Sequence, residues 1–266
     1  MHAPGETVPP TAPFPESFPP APTRSEGDTD ASRGDSWHRD LAAAIRDPDQ
    51  LVDLLGLPES TREPARRAAT LFPLMVPRSY LGRMRQGDFD DPLLRQVLPL
   101  DEEFREVDGF GEDAVDDSGF RRADGLLHKY RGRALLITTG ACAVHCRYCF
   151  RRHYPYGEEP KRLADWEPAL ETIRSDSSIR EIILSGGDPL MLTDARLEAL
   201  IQRLATIPHL RRLRIHSRLP VVLPSRVTRR LLDLLTGTSL QPFMVIHANH
   251  AREVVADCAD ALERLV

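Results

Sequence analysis

The chain has little that would staple it covalently or carry it into a membrane. It contains four cysteines in 266 residues, too few to hold a fold of this size together. Three of them lie within eight residues, Cys142 to Cys149, too crowded for a disulfide framework. A reducing compartment and a metal site suit that crowding better. The N-terminus lacks the basic stretch followed by an apolar run that marks a secretory signal. No apolar run approaches the length of a membrane span. Excess positive charge is missing too: 35 Lys and Arg stand against 40 Asp and Glu, a formal net charge of -5. That balance argues against a general nucleic-acid binder. Together these absences lead us to expect a soluble, cytoplasmic protein with neither membrane nor nucleic acid as a partner. The hydrophobic content of 41% is enough for a sizeable core in one or two domains.

Three regions follow from the texture of the chain. The first 22 residues hold eight of the 23 prolines, and Ser, Gly, Asp and Glu dominate from there to Ser36. Such a segment buries too little apolar surface to offset its ordering entropy, so residues 1–36 read as a disordered proline-rich tail. From Trp37 to about residue 110 short amphipathic patterns suggest a small helical subdomain. In it, Ser60 and Glu63 have capping-box spacing, and Asp91-Pro92 reads as a helix start. An acidic connector completes residues 37–126. Residues 127–266 change rhythm. "RALLIT" (133–138), "REIILS" (180–185), "LRRLRIHS" (210–217) and "FMVIH" (243–247) read as strands, with helical patterns at 165–175, 194–205 and 224–235. Alternation of this kind predicts an α/β fold of parallel strands with right-handed crossovers, a partial (β/α) barrel. "AREVVADCADALERLV" reads as one more helix, with Cys258 on its core face.

Chemistry in such folds sits at the C-terminal ends of the strands. The cysteines follow the first of these strands. "SGGDPL", "HSRLP" and "HANH" follow the others, so every unusual polar motif falls on one rim. Three close thiolates can hold zinc or an iron–sulfur cluster. Zinc would want a fourth ligand, and His145 or His153 could supply it. A four-iron cluster held by three cysteines would keep one iron open for a substrate or cofactor.

Cys142-x3-Cys146-x2-Cys149 after a first barrel strand, with the aromatic Tyr148 before the last cysteine, resembles the radical S-adenosylmethionine superfamily. "CRYCFRRHYPY", "SGGDPLM" and "LRIHSRLPVVLPSRV" are similar to the lysine 2,3-aminomutase family. They are most similar to its branch that makes β-lysine for elongation factor P, and "VPRSYLGRM", "DDPLLRQVL" and "GLLHKYRGRALL" match that branch as well. The resemblance covers residues 37–266. It implies conversion of α-lysine to β-lysine by a 4Fe-4S cluster on Cys142, Cys146 and Cys149, with S-adenosylmethionine on its open iron. Ser185, Gly186, Gly187 and Asp188 would meet the methionine part, and Ser217 and Arg218 its carboxylate. Tyr148 would face the adenine, and His247 would make a further cofactor contact. Arg151 would pair with the carboxylate of free lysine, the substrate. Pyridoxal phosphate would take part, with Tyr130 and Arg133 near its phosphate. Reduced flavodoxin or ferredoxin would supply the electron.

One feature departs from the family pattern. The pyridoxal-anchoring lysine of full-length members lies beyond the fourth strand–helix unit, and the only lysines here are Lys129 and Lys161. A C-terminally truncated chain, with aminomutase turnover impaired, is the expectation. A radical S-adenosylmethionine enzyme without pyridoxal phosphate and a non-catalytic metal-binding module are the alternatives. Four strand–helix units cannot close a barrel, so an open sheet edge is expected, which a homo-oligomer could cover.

Overall fold

A computed structural model describes residues 36–109 and 111–266; apart from Ser36, the proline-rich segment lies outside the described residues. The four expected strands form, as β3 (Arg133–Thr139), β4 (Glu181–Gly186), β5 (Arg212–Ser217) and β6 (Gln241–Ile246). They run parallel in the order β3-β4-β5-β6. Two further strands precede them: β1 (Arg121–Ala123) and β2 (Leu126–Tyr130) extend the sheet antiparallel beside β3. The end of the connector thus supplies β1, and the stretch just after it supplies β2, where the sequence showed no period. Leu126 and Leu127 are buried, but the following His-Lys-Tyr-Arg breaks the alternation that would mark a strand.

Helices return the chain between parallel strands. Glu167–Ser175 joins β3 to β4, Asp194–Ala205 joins β4 to β5, and Arg229–Thr236 joins β5 to β6. The middle one starts where predicted because Thr193 Oγ accepts the Arg196 N–H at 3.4 Å, leaving Asp194 in the first turn to favour the dipole. Its Leu197, Leu200, Ile201 and Leu204 are buried, one stripe at helical spacing. Each such side chain contributes about 1.5–3 kcal/mol by leaving water. The sheet stays open, with β1 and β6 as its edges.

The N-terminal helical segment packs into the same core. One cluster of buried side chains runs from Trp37, Leu51 and Tyr80 through Leu136 and Ile182 to Cys258. The fully buried Arg226 helps to join the two. Its guanidinium lies 4.8 Å from the Trp37 ring and donates to Leu190 O (2.7 Å) and Leu192 O (3.2 Å). No helix among the described residues is long and apolar enough to cross a membrane.

Two local expectations need correction. The Ser60–Glu63 capping box is absent: a 3-10 turn (Glu59–Thr61) leads directly into helix Arg62–Leu71, and Glu63 pairs with Arg67 instead. The final segment is not one helix. Ala256 takes φ 50°, so a 3-10 turn (Ala251–Glu253) and a short helix (Asp257–Glu263) form separately. Cys258 is buried as expected, whereas Val254 is exposed.

Candidate functional site

The cysteine loop leaves β3 at Thr139 and is gripped from two sides. The inner grip is the β4 end. Gly187 N–H donates to Thr139 O at 2.7 Å and Asp188 N–H to Ala141 O at 2.8 Å. A Cβ on Gly187 would stand 2.4 Å from Ala141 O, and one on Gly186 would stand 2.6 Å from Thr139 O. Gly186 also has φ 120°, which L side chains rarely adopt. Both glycines are therefore dictated by the passage of the loop from which Cys142 emerges.

The outer grip comes from the helical segment. His145 N–H donates to Met75 O (3.2 Å) and its Nδ1 to Pro73 O (2.7 Å). Arg147 N–H donates to Gln96 O (2.8 Å). A tight turn, Cys149 N–H on Cys146 O at 3.0 Å, brings the last two thiols together. Arg151 is no solvated basic turn. It is buried, with Nε on Asp117 Oδ2 at 2.7 Å and Nη1 on Ser185 Oγ at 3.1 Å.

Asp188 ties the ends of β4 and β5. Its carboxylate accepts from Ser217 Oγ (2.8 Å), Arg218 N–H (2.7 Å), Leu219 N–H (3.1 Å) and Leu190 N–H (3.0 Å). Burial still dominates and pushes its pKa up to about 6. Arg218 then reaches over the cysteine loop. One terminal nitrogen contacts Cys146 Sγ (2.9 Å) and the Tyr148 hydroxyl; the other contacts Tyr80 Oη (3.1 Å) and Gln96 Oε1 (2.8 Å). Behind it, the fully buried Glu253 accepts from Gln96 Nε2 at 2.6 Å and lies 3.5 Å from Arg218. His247 stands edge-on to Tyr148, ring centroids 5.4 Å apart, and is 3.1 Å from Asn249 Oδ1.

The strand ends thus bring together Cys142, Cys146, Tyr148, Cys149, Arg151, Ser185, Gly186, Gly187, Asp188, Ser217, Arg218 and His247. Tyr130 and Arg133 are not with them. They pair across the turn between β2 and β3, at the opposite end of β3 from the cysteines, with the guanidinium 4.9 Å from the exposed ring. Sequence reasoning missed Tyr80, Gln96, Glu103, Asp117 and Glu253. These are ordinary polar residues in a helical or acidic context, and only the folded chain sets them beside the loop.

The donor set fits an iron–sulfur cluster. Cys142, Cys146 and Cys149 share one loop, and Cys142 lies within electrostatic reach of the other two. Burial, and after it the nearby Asp188, pushes the Cys142 thiol well up; burial also raises Cys146, against the pull of Arg218. Such thiols need cationic metal to become thiolates. No group of three or more His, Cys, Asp and Glu side chains among the described residues closes on a single ion. His145 donates Nδ1–H to Pro73 O, and His153 is exposed. Arg218 Nε is buried without a partner, so the site has a donor to offer a ligand.

Residues 136–253, from β3 to the segment after β6, match the family model of the radical SAM superfamily. Over 232 residues the chain is 46% identical to the L-lysine 2,3-aminomutase of Escherichia coli strain K12, covering 87% of this chain and 68% of that protein. The enzyme of the same name from Haemophilus influenzae is 45% identical over 230 residues, 86% of this chain and 68% of that protein. That of Buchnera aphidicola is 39% identical over 221 residues, 83% and 65% respectively.

Proposed function

Since the chain belongs to the lysine 2,3-aminomutase family of the radical SAM superfamily, we propose that it is an isomerase acting on free lysine, converting α-lysine to β-lysine. The carrying observation is the three-cysteine loop, clasped at the C-terminal strand ends with Arg218 against Cys146. Cys142, Cys146 and Cys149 would hold a 4Fe-4S cluster, with Arg218, Tyr148 and His247 around S-adenosylmethionine. When bound, the reduced cluster and S-adenosylmethionine supply radical chemistry, and pyridoxal phosphate supplies a carrier for the migrating amino group.

The protein's own residues bind and orient. Arg151 is buried and held on two sides, so its guanidinium is already directed when a lysine carboxylate arrives, and little ordering entropy remains to be lost. Gly186 and Gly187 keep the cysteine loop against β4. The N-terminal helical part braces the loop from outside through Pro73, Met75 and Gln96. Modification of elongation factor P as the fate of the product, a flavodoxin or ferredoxin as electron donor, and a cytoplasmic setting complete the reading.

A second reading, a radical S-adenosylmethionine enzyme without pyridoxal phosphate, has two observations in its favour. Tyr130 and Arg133 lie away from the cysteines, and Lys129 on β2 is committed to Val115 O at 2.8 Å. The test is anaerobic reconstitution with iron and sulfide, then reduction with S-adenosylmethionine, L-lysine and pyridoxal phosphate. 5′-Deoxyadenosine should form with β-lysine beside it in smaller yield, as expected of a chain whose only lysines are Lys129 and Lys161, and neither product should form in a Cys146→Ala variant. 5′-Deoxyadenosine without β-lysine would favour the second reading. Absence of both from an iron-loaded chain would sink the two together.

A further inference from the structure

We infer that Glu103 is the positioning residue of the cysteine loop: its carboxylate clamps the two arginines that bracket the Cys146–Cys149 turn, and so sets how firmly the loop keeps a cluster. This rests on the reading that the three cysteines hold that cluster.

Glu103 lies in a 3-10 turn (Asp101–Phe104) outside the apolar core, yet its side chain is only 6% exposed. Both of its oxygens are used. Oε1 takes Arg147 Nε at 2.5 Å, and Oε2 takes Arg152 Nη1 at 2.5 Å. Arg147 follows Cys146 directly and Arg152 lies three residues after Cys149, so one carboxylate grips the chain on both sides of the last cysteine. The grip has a stiff backing. Arg147 Nη1 also donates to Arg95 O at 3.1 Å, and the Arg152 guanidinium lies 4.3 Å from the Phe72 ring.

Two cations meeting on one buried anion make the clamp asymmetric. Removing either arginine leaves a paired group, but neutralising Glu103 leaves two guanidinium groups facing each other without a counter-charge. They would separate, and the segment between them carries Cys149. No core side chain or strand pairing depends on Glu103, so the disturbance falls on the loop rather than on the sheet. Asp117 performs a related task on Arg151 from the same stretch of chain. Each of the three arginines of the loop thereby has a carboxylate partner, two carboxylates serving three guanidinium groups.

The test compares full-length wild type, Glu103→Gln, Glu103→Asp, Arg152→Gln and Cys149→Ala after anaerobic reconstitution. Iron per chain and the rate of cluster bleaching by a chelator are read beside the melting temperature of the iron-free protein. Glu103→Gln should lose its cluster to chelator on the order of tenfold faster, the usual scale for supporting residues around a metal, with the iron-free melting temperature nearly unchanged. Glu103→Asp, which keeps the charge on a shorter arm, should fall between. In an Arg152→Gln background, adding Glu103→Gln should cost less than it does in wild type, because fewer charges are then left to repel. Equal bleaching of wild type and Glu103→Gln would overturn the inference, as would a change mirrored by an equal fall in iron-free stability. Should Glu103→Gln not fold, Glu103→Asp decides: faster bleaching supports the clamp and an unchanged rate removes it. Undiminished iron in Cys149→Ala would instead refute the cluster reading itself.

Discussion

Gly187 shows how much a single residue can carry. The sequence offers "SGGD" as a strand-end turn expected to meet a ligand. In the structure its absent side chain makes room for the neighbouring strand end, with Ala141 O where a Cβ would stand 2.4 Å away and Gly140 C at 2.7 Å. Both neighbours are backbone and cannot rotate aside. Gly187→Ala should therefore destabilise by about 1–3 kcal/mol, the range for overpacking, and displace the loop leading to Cys142. A thermal melt together with iron content after reconstitution measures the two effects. An alanine variant as stable and as iron-rich as wild type would show that the loop has more room than the geometry allows. That the cysteines, Arg151, Ser217 and Arg218 gather on one rim was legible from strand–helix alternation, whereas the roles expected of them came only from the family resemblance. Glu103, Asp117 and Glu253 were not legible: an acidic residue on a short turn looks the same whether it faces solvent or an arginine 44, 34 or 35 residues distant along the chain.

Among the elements, the parallel strands and the helix Asp194–Ala205 were read nearly to the residue, because buried aliphatic runs and a Thr cap leave little choice. The C-terminal segment was not. A helical period was present in the residue types, but Arg252 and Glu253 were claimed by distant polar and charged partners, Asp91 for the first and Gln96 and Arg218 for the second, and the chain turned at Ala256. The Arg252–Asp91 pair fastens that segment to the helical part. Asp91 is fully buried and lies 2.6 Å from Arg252 Nη2. Burial works to raise its pKa, but the Arg85 N–H, Arg252 and the Leu94 and Leu93 N–H groups outweigh it and hold it below the ordinary value. A depressed carboxylate gives stability that is fully present above its unfolded pKa and is lost as pH falls through the folded one. Asp91→Asn should cost about 3 kcal/mol at neutral pH, the low end for breaking a buried pair, since Arg252 keeps a contact to Arg83 O at 3.3 Å. The gap between variant and wild type should narrow as pH falls below about 4, the ordinary carboxylate range. Urea unfolding at pH 7 and below pH 4 reads both numbers. A gap that stays constant with pH would mean that the charge of Asp91 is not what stabilises the joint.

At the scale of the molecule, the open sheet was foreseen from the number of strand–helix units, and the direction of its last strand decides how that edge behaves. The Gln241 N–H donates to Arg211 O and the His247 N–H to Ser217 O, both on the β5 side. With the register Arg214↔Phe243 and His216↔Val245, alternation turns the N–H groups of odd-numbered residues toward β5 and those of Met244 and Ile246 toward the free edge. Position 242, also on the free side, is a proline and has no N–H to present. An edge blunted in this way resists indiscriminate strand addition. The same geometry separates two substitutions one residue apart. Val245→Pro removes a donor that binds β5 and orphans its acceptor, which should cost about 1–3 kcal/mol in addition to any strain. Met244→Pro removes a donor that faces outward, so it should cost clearly less and should lower any concentration-dependent association seen by sedimentation. Melting temperatures of the two variants, measured at one concentration, give the comparison. If Met244→Pro proved as damaging as Val245→Pro, residue 244 would be donating to a neighbour, and the edge of β6 would be covered in solution by another strand.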